Sequence, residues 1–120
     1  MTGNIMLYTY KAKCVNVVDG DTIDCEIDLG FHMKSTLRLR LLGIDAPELR
    51  SEDPAIKASA QKSKIELGYM VNDKDLTIQT YKSDSFGRWL TLISCQHLGE
   101  WISVNKTMID KGLAVEWVKK

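Results

Sequence analysis

Alternation of apolar and polar residues marks the first third of the chain as β-structure. Residues 7–18 are rich in Tyr, Thr and Val, which predicts a long strand. Every second residue is apolar over 23–29, as expected of a strand with one buried face. A third strand is predicted over 36–42, with Leu37, Leu39 and Leu41 on one face and Arg38 and Arg40 on the other. Asp19-Gly20 predicts a tight turn between the first two strands, in which glycine supplies a positive φ.

The period becomes helical after residue 52. Asp53 and Pro54 suit the N-cap and first position of a helix. Apolar or small residues then recur every three or four positions and predict one buried face, made of Ile56, Ala60, Ser63, Leu67 and Met70. Two more strands are predicted over 76–81 and 89–94, with Trp89 in the core and a polar loop at 82–88 between them.

A second, short helix is predicted from Ser103 to Lys111, with Gly112 ending it, followed by an apolar segment over 113–118. Five strands with a helix after the third are the order of an OB-fold. We therefore expect a mainly β, α+β protein: one domain over 1–120, built as a five-stranded OB-fold barrel with a short helix before the terminal segment.

Composition narrows the functional classes. The 120 residues carry 16 Lys+Arg and 16 Asp+Glu, so the formal net charge is zero. A protein that binds polyanions through bulk positive charge is thereby excluded, and any nucleic-acid binding must come from local charge. The cysteines Cys14, Cys25 and Cys95 form no C-x-x-C motif. We expect buried free thiols, although Cys14 and Cys25 could face each other across a hairpin.

No stretch approaches the ~20 apolar residues of a membrane span, so no membrane partner is expected. The first thirteen residues lack the apolar core of a signal peptide, which predicts a cytoplasmic location.

Three turn-rich segments concentrate charge, at 18–22, 40–48 and 84–88. Each has an ordinary interpretation, as a solvated turn, a surface arginine on a strand, or a hairpin connection. Together they hold carboxylates that suit a hard cation such as Ca²⁺ or Mg²⁺, and arginines that suit a phosphate. A further carboxylate could orient or deprotonate a water. These are the parts that phosphodiester hydrolysis needs, because its transition state gains negative charge.

Four motifs stand out along the chain: V-V-D-G-D-T at 17–22, R-L-L-G-I-D-A-P-E at 40–48, D-S-F-G-R at 84–88 and V-N-x3-I-x2-G-L-A at 104–114. Through these motifs and their order, the sequence resembles the staphylococcal nuclease-like (thermonuclease) family. The resemblance implies an OB-type barrel and Ca²⁺-dependent, largely sequence-nonspecific cleavage of DNA or RNA at P–O5′.

The resemblance also implies a role for each site residue. Asp21 and Asp45 would bind Ca²⁺, with Asp19 in support. Arg40 and Arg88 would bind the scissile phosphate. Glu48 would share its role between orienting the attacking water and accepting the proton of that water.

Two positions depart from the family pattern. Ala46 stands where the family usually has Thr, so it could bind the metal only through its main-chain carbonyl oxygen. Phe86 replaces a Tyr and keeps a stacking face. Phe86 and Trp117 are the candidates for base stacking.

The sequence stops before the long C-terminal helix of the secreted nucleases, so we expect a truncated version of the family fold. A second subunit in a homodimer is one way to complete the cleft. Two alternatives to a nuclease stay open: a non-catalytic OB-fold module that binds nucleic acid or protein, and a carboxylate cluster that uses Ca²⁺ only to stabilise the fold.

Overall fold

A computed structural model describes residues 7–117 of the chain. In that part, the elements follow in the order β1 (Thr9–Asp19), β2 (Thr22–Gly30), β3 (Met33–Leu41), β4 (Ile44–Asp45), α1 (Pro54–Val71), β5 (Leu76–Ser83), β6 (Trp89–His97), β7 (Glu100–Ser103), α2 (Val104–Asp110) and β8 (Val115–Glu116). Both helices lie where the sequence predicts them.

The five long strands form a closed ring of hydrogen-bonded neighbours. Their order is β3-β2-β1-β5-β6, and all of these pairs are antiparallel. The ring closes where β3 pairs with β6 in parallel, with Leu39 opposite Trp89 and Leu41 opposite Thr91. The α+β class and the OB-type strand order predicted from the sequence are thereby confirmed.

The core fills the ring and extends beneath both helices. Its largest fully buried side chains come from strands, helices and the β4 segment: Ile23, Ile27, Leu39, Leu41, Ile44, Leu67, Leu76, Ile78, Ile93, Met108, Val71 and Val104. Helix α1 begins at a capped end, since the Asp53 carboxylate accepts a hydrogen bond from the Ala55 amide at 2.9 Å. Ser103 caps α2 in the same way through the Lys106 amide.

Two predictions about burial are wrong, those for Ile56 and Trp89. Ile56 is 44% exposed because burial along α1 begins only at Ala60, so the first turn extends past the packed surface. Leu37 lies on β3 with Leu39 and Leu41, but it is 38% exposed because the first part of β3 lies outside the core. Trp89 is 37% exposed at the start of β6 and is not a core residue.

Two pairings at the sheet margins were not predicted. Strand β7 forms a hairpin with β6 through Leu98 and Gly99, both at positive φ. The terminal apolar segment contributes only the two-residue strand β8, which pairs with β4. Residue 118 of the predicted segment lies outside the described residues.

Neither helix within 7–117 combines the length and apolar character that a membrane span requires.

Candidate active site

The β1–β2 turn presents two carboxylates beside the end of β3. Gly20 and Asp21 are its loop residues, and Asp19 pairs with Thr22. The Asp21 amide donates to the Asp19 carboxylate at 3.0 Å, and the Leu41 amide donates to the Asp21 carbonyl oxygen at 2.8 Å. The predicted tight turn is confirmed, and its backbone is joined directly to β3.

The reason for glycine at position 20 differs from the prediction. Gly20 does not have a positive φ. A Cβ atom there would instead lie 2.7 Å from the Ser63 Cβ and 2.8 Å from the Ala46 Cβ. Glycine is therefore required by close packing of the turn against α1 and against the segment after β4. Ser63 itself donates to the Leu113 carbonyl oxygen at 2.6 Å, so α1 holds two chain segments together at this point.

Asp21 is buried, and both of its carboxylate oxygens have donors. Its Oδ2 accepts from Arg40 Nη1 at 2.7 Å and from the Ala46 amide at 3.0 Å. Its Oδ1 accepts from the Thr22 hydroxyl at 2.9 Å. Each carboxylate oxygen has two lone pairs, so these contacts leave one acceptor position on Oδ1.

Arg40 is buried rather than exposed on the outer face of β3, because neighbouring segments enclose its guanidinium group. Arg40 as a whole is only 8% exposed. Nη2 lies 3.2 Å from the Ile44 carbonyl oxygen and 3.4 Å from Asp45 Oδ1. The Trp117 ring lies over the guanidinium at 5.6 Å, held there by a hydrogen bond from the Trp117 amide to the Gly43 carbonyl oxygen. Arg40 thus bridges Asp21 and Asp45.

The two aspartates of the turn have opposite pKa shifts. Burial, together with a hydrogen bond to Asp21 and the negative charge of Asp21, raises the pKa of Asp19 to about 6. Burial also disfavours the charge of Asp21, but hydrogen bonds from Asp19, from the Ala46 amide and from Arg40 lower its pKa overall. The turn therefore concentrates more negative charge than the single Arg40 cation offsets.

Arg88 is positioned by a carboxylate in its own loop. Asp84 Oδ2 accepts from Arg88 Nε and Nη2, both at 2.8 Å, and Asp84 Oδ1 accepts from the Phe86 and Arg88 amides. Burial of Asp84 is outweighed by these hydrogen bonds and by the positive charge of Arg88, so its pKa is lowered. Three guanidinium N–H groups of Arg88 remain for other partners.

Arg88 and Phe86 form a ridge between two cavities. The Phe86 side chain is 81% exposed, and its ring lies 5.2 Å from the Arg88 guanidinium carbon. A cavity of about 370 Å³ on one side is lined by residues including Arg40, Asp45, Lys82 and Trp117. A cavity of about 670 Å³ on the other side is lined by residues including Asp19, Glu48, Arg38 and Arg50.

The residues predicted from the sequence for this site therefore lie around one divided cleft. Asp21, Arg40, Asp45 and Ala46 are joined by direct contacts. Glu48 is exposed and shares a cavity with Asp19 and Arg88. Within residues 7–117 no group of three or more Asp, Glu, His or Cys side chains converges closely enough to hold a metal ion by itself. The groups near Arg40 that could bind a metal ion nevertheless do so through oxygen atoms, which suit a hard cation whose remaining ligands are water or substrate.

Several supporting residues were missed from the sequence. Asp84 holds Arg88, and Thr22 holds Asp21. Asn105 is buried, accepts from the Ile93 amide at 2.9 Å, and donates to the carbonyl oxygens of Leu42 at 2.9 Å and Thr91 at 3.0 Å. These bonds join α2 to the junction of β3 and β6, next to Arg40. The only sequence signal for them was their position inside or beside the matched motifs.

Comparison with known proteins identifies similar sequences. The family model described as staphylococcal nuclease homologue matches residues 38–120. Protein ParB of Escherichia coli is 28% identical over 109 residues, covering 87% of this chain and 55% of that protein. A protein named "uncharacterized endonuclease" from Escherichia coli O157:H7 is 29% identical over 106 residues, covering 88% of this chain and 59% of its own length. A micrococcal nuclease of Shigella flexneri is 26% identical over 110 residues, covering 88% of this chain and 57% of that protein. The chain thus spans little more than half the length of these relatives.

Proposed function

The chain belongs to the family of staphylococcal nuclease homologues, and from this membership and its site geometry we propose that it is a Ca²⁺-dependent nuclease. Its substrate is DNA or RNA, and it hydrolyses the P–O5′ bond with little sequence preference. The names of two relatives, an endonuclease and a micrococcal nuclease, agree with this activity.

The observation that carries the proposal is a pair of fixed guanidinium groups lining one cavity. Arg40 is held by Asp21, and Arg88 is held by Asp84. Held cations cost little reorganisation when charge develops on a bound phosphate, which is the arrangement that stabilises a phosphoryl transition state. Both arginines line this cavity, and Arg88 keeps guanidinium N–H groups that Asp84 does not use.

Phosphate binding can exploit the weakest contact of Arg40. Its bond to Asp21 is short and buried, whereas its contact to Asp45 is 3.4 Å and the Asp45 side chain is 51% exposed. A phosphate oxygen entering the cavity therefore replaces the Asp45 contact and leaves the Asp21 contact intact. Arg88 then binds a second phosphate oxygen with the donors that Asp84 does not use.

Glu48 is the residue that we assign to the attacking water. It lines the larger cavity, which shares Arg88 with the smaller one, and its carboxylate makes no hydrogen bond or ion pair with another described residue. An exposed carboxylate without a partner is free to accept a hydrogen bond from a water and to take up its proton. Such general-base assistance typically contributes ~10²–10⁴-fold to the rate.

Ca²⁺ fits the donors on the acidic side of Arg40. Asp21 Oδ1, the Asp45 carboxylate and the main-chain carbonyl of Ala46 would hold it, with Asp19 close by. Ca²⁺ takes ~6–8 oxygen ligands, so water and substrate must supply the rest and affinity without substrate should be modest. When bound, the metal would supply positive charge for the developing negative charge of the phosphate.

Contacts on both sides of the ridge support a polynucleotide substrate. Arg38 and Arg50 line the larger cavity and can bind a phosphate next to the scissile one. Trp117, 41% exposed, lines the smaller cavity with Phe86 and can stack on a base. These groups would contact the phosphate backbone and the faces of the bases rather than the base edges, so little sequence preference is expected.

The homodimer stays a prediction, which sedimentation of the purified protein checks.

The test is cleavage of single-stranded DNA by the purified protein, with Ca²⁺ and then with excess chelator. We expect Ca²⁺-dependent turnover, loss of cleavage with chelator, and fragments that end in a 3′-phosphate and a 5′-hydroxyl. Binding of the DNA without any cleavage would favour the non-catalytic module. A melting temperature raised by Ca²⁺ with neither cleavage nor DNA binding would favour a purely structural metal site.

A further inference from the structure

Two cysteines outside the candidate active site face each other in the sheet. Cys14 on β1 and Cys25 on β2 are directly opposed partners in the antiparallel register. Directly opposed residues of antiparallel strands point to the same face and have Cα atoms ~4.5–5.5 Å apart. That separation lies within the ~4.4–6.8 Å that a disulfide bond spans.

The two thiols differ in their surroundings. Cys25 is fully buried in the ring, whereas Cys14 is half-buried at its margin. Both are free, and each changes the pKa of the other. The hydrogen bond with Cys25 is the largest influence on Cys14 and lowers its pKa, while the same contact and burial raise the pKa of the Cys25 thiol.

We propose that Cys14 and Cys25 form a redox-active dithiol site that reacts with small disulfides such as oxidised glutathione. This proposal does not depend on the proposed nuclease activity. Its basis is the cross-strand register, the shared face, and the difference in access between the two sulfur atoms. The β1 strand has an irregularity between Cys14 and Asn16, where the backbone can adjust as the bond forms.

The reaction proceeds in two exchanges. The Cys14 thiolate attacks one sulfur of glutathione disulfide, whose S–S bond breaks and releases one glutathione thiolate, leaving a mixed disulfide on Cys14. The Cys25 sulfur then attacks the Cys14 sulfur, gives up its proton and displaces the second glutathione. Two protein thiols are oxidised by two electrons, and one glutathione disulfide is reduced to two thiols.

Cys95 provides an internal control. It is buried on β6, and its partners in the sheet are Leu76 and Ile102 rather than another cysteine. Burial raises its pKa as it does that of Cys25, but no cysteine faces Cys95 across the sheet, so it should neither attack glutathione disulfide nor displace glutathione from Cys14.

The test is incubation of the fully reduced, folded protein with oxidised glutathione, followed by intact-mass analysis and peptide mapping without reductant. We expect a product that has lost two hydrogen atoms, with Cys14 linked to Cys25 and Cys95 still free for alkylation. Excess reduced glutathione should restore the original mass. The variant Cys25→Ser should stop at a glutathione adduct on Cys14, and Cys14→Ser should not react.

Mapping of the unsubstituted protein decides the proposal even if a cysteine variant folds poorly. A persistent glutathione adduct on Cys14, a bond between two chains, a bond to Cys95, or no reaction at all would overturn it. The same incubation in denaturant shows whether the fold selects the pair. Exclusive Cys14–Cys25 pairing in the folded state, with mixed pairing when unfolded, supports the assignment, and equal mixtures in both states would contradict it.

Discussion

Gly20→Ala tests how the β1–β2 turn is positioned. The added Cβ would lie 2.7 Å from the Ser63 Cβ and 2.8 Å from the Ala46 Cβ, whereas carbon atoms in contact are ~3.5–4.0 Å apart. Both neighbours are Cβ atoms attached to backbone, so the backbone itself must move by about 1 Å. Overpacking of this kind typically costs ~1–3 kcal/mol. For a chain of this size that corresponds to a melting temperature lower by roughly 4–12 °C.

Thermal unfolding followed by circular dichroism measures the effect, and Gly68→Ala is the matched control. A Cβ at Gly68 would lie 3.2 Å from the end of the exposed Asn72 side chain, which can move, and 3.9 Å from the Val17 Cγ2, which is an ordinary contact. Alanine also favours a helix by up to ~1 kcal/mol, so no loss is expected. Adding Ala46→Gly to Gly20→Ala should restore part of the loss by removing one of the two overlaps. A Gly20→Ala variant within about 0.5 kcal/mol of the natural chain would refute the packing argument.

Three further predictions concern stability and binding. Asn105→Ala should lower the free energy of unfolding by at least about 2 kcal/mol in urea titrations. The Ile93 amide and the Leu42 carbonyl each lose a hydrogen bond, whereas the Thr91 carbonyl keeps its bond from the Leu42 amide. A loss below about 1 kcal/mol would contradict this. The raised pKa of Asp19 means that the folded state retains a proton which the unfolded state has lost between pH 3.8 and about 6. The free energy of unfolding should therefore fall as the pH rises through that window. After allowance for solvent screening, the fall should exceed that of Asp19→Asn by on the order of 1 kcal/mol. Equal slopes of unfolding free energy against pH for the two proteins would contradict this. Replacing Arg38 and Arg50 by Gln should weaken the salt dependence of single-stranded DNA binding. The slope of log binding constant against log salt concentration should become shallower by roughly 0.7 for each phosphate that is no longer neutralised. An unchanged slope would exclude both arginines from the binding surface.

Local signals in the sequence predicted the elements well. Asp53 and Ser103 cap the two helices as their residue types suggest, and alternation located the long strands. Strand β7 was missed because Leu98 is an unusual residue for a turn and adopts a positive φ there. Its hairpin depends on pairing with β6 rather than on a recognisable turn sequence.

The sequence predicted which residues form the candidate site but not which residues surround them. The burial of Arg40 depends on Asp21, Ile44 and Trp117, which come from three separate parts of the chain. No local pattern on β3 indicates that enclosure. The requirement for glycine at position 20 likewise comes from α1 and the segment after β4 rather than from turn conformation. Long-range packing of this kind cannot be read from periodicity.

The role of Glu48 in nuclease activity is tested by the rate of Ca²⁺-dependent DNA cleavage by Glu48→Gln, measured in single turnovers with DNA binding followed in parallel. Glu52→Gln is the matched control, because Glu52 is exposed in the same loop and lines neither cavity of the cleft. We expect a rate at least ~10²-fold lower for Glu48→Gln, with DNA binding retained and with Glu52→Gln unchanged. Equal cleavage rates for both variants and the natural chain would contradict it.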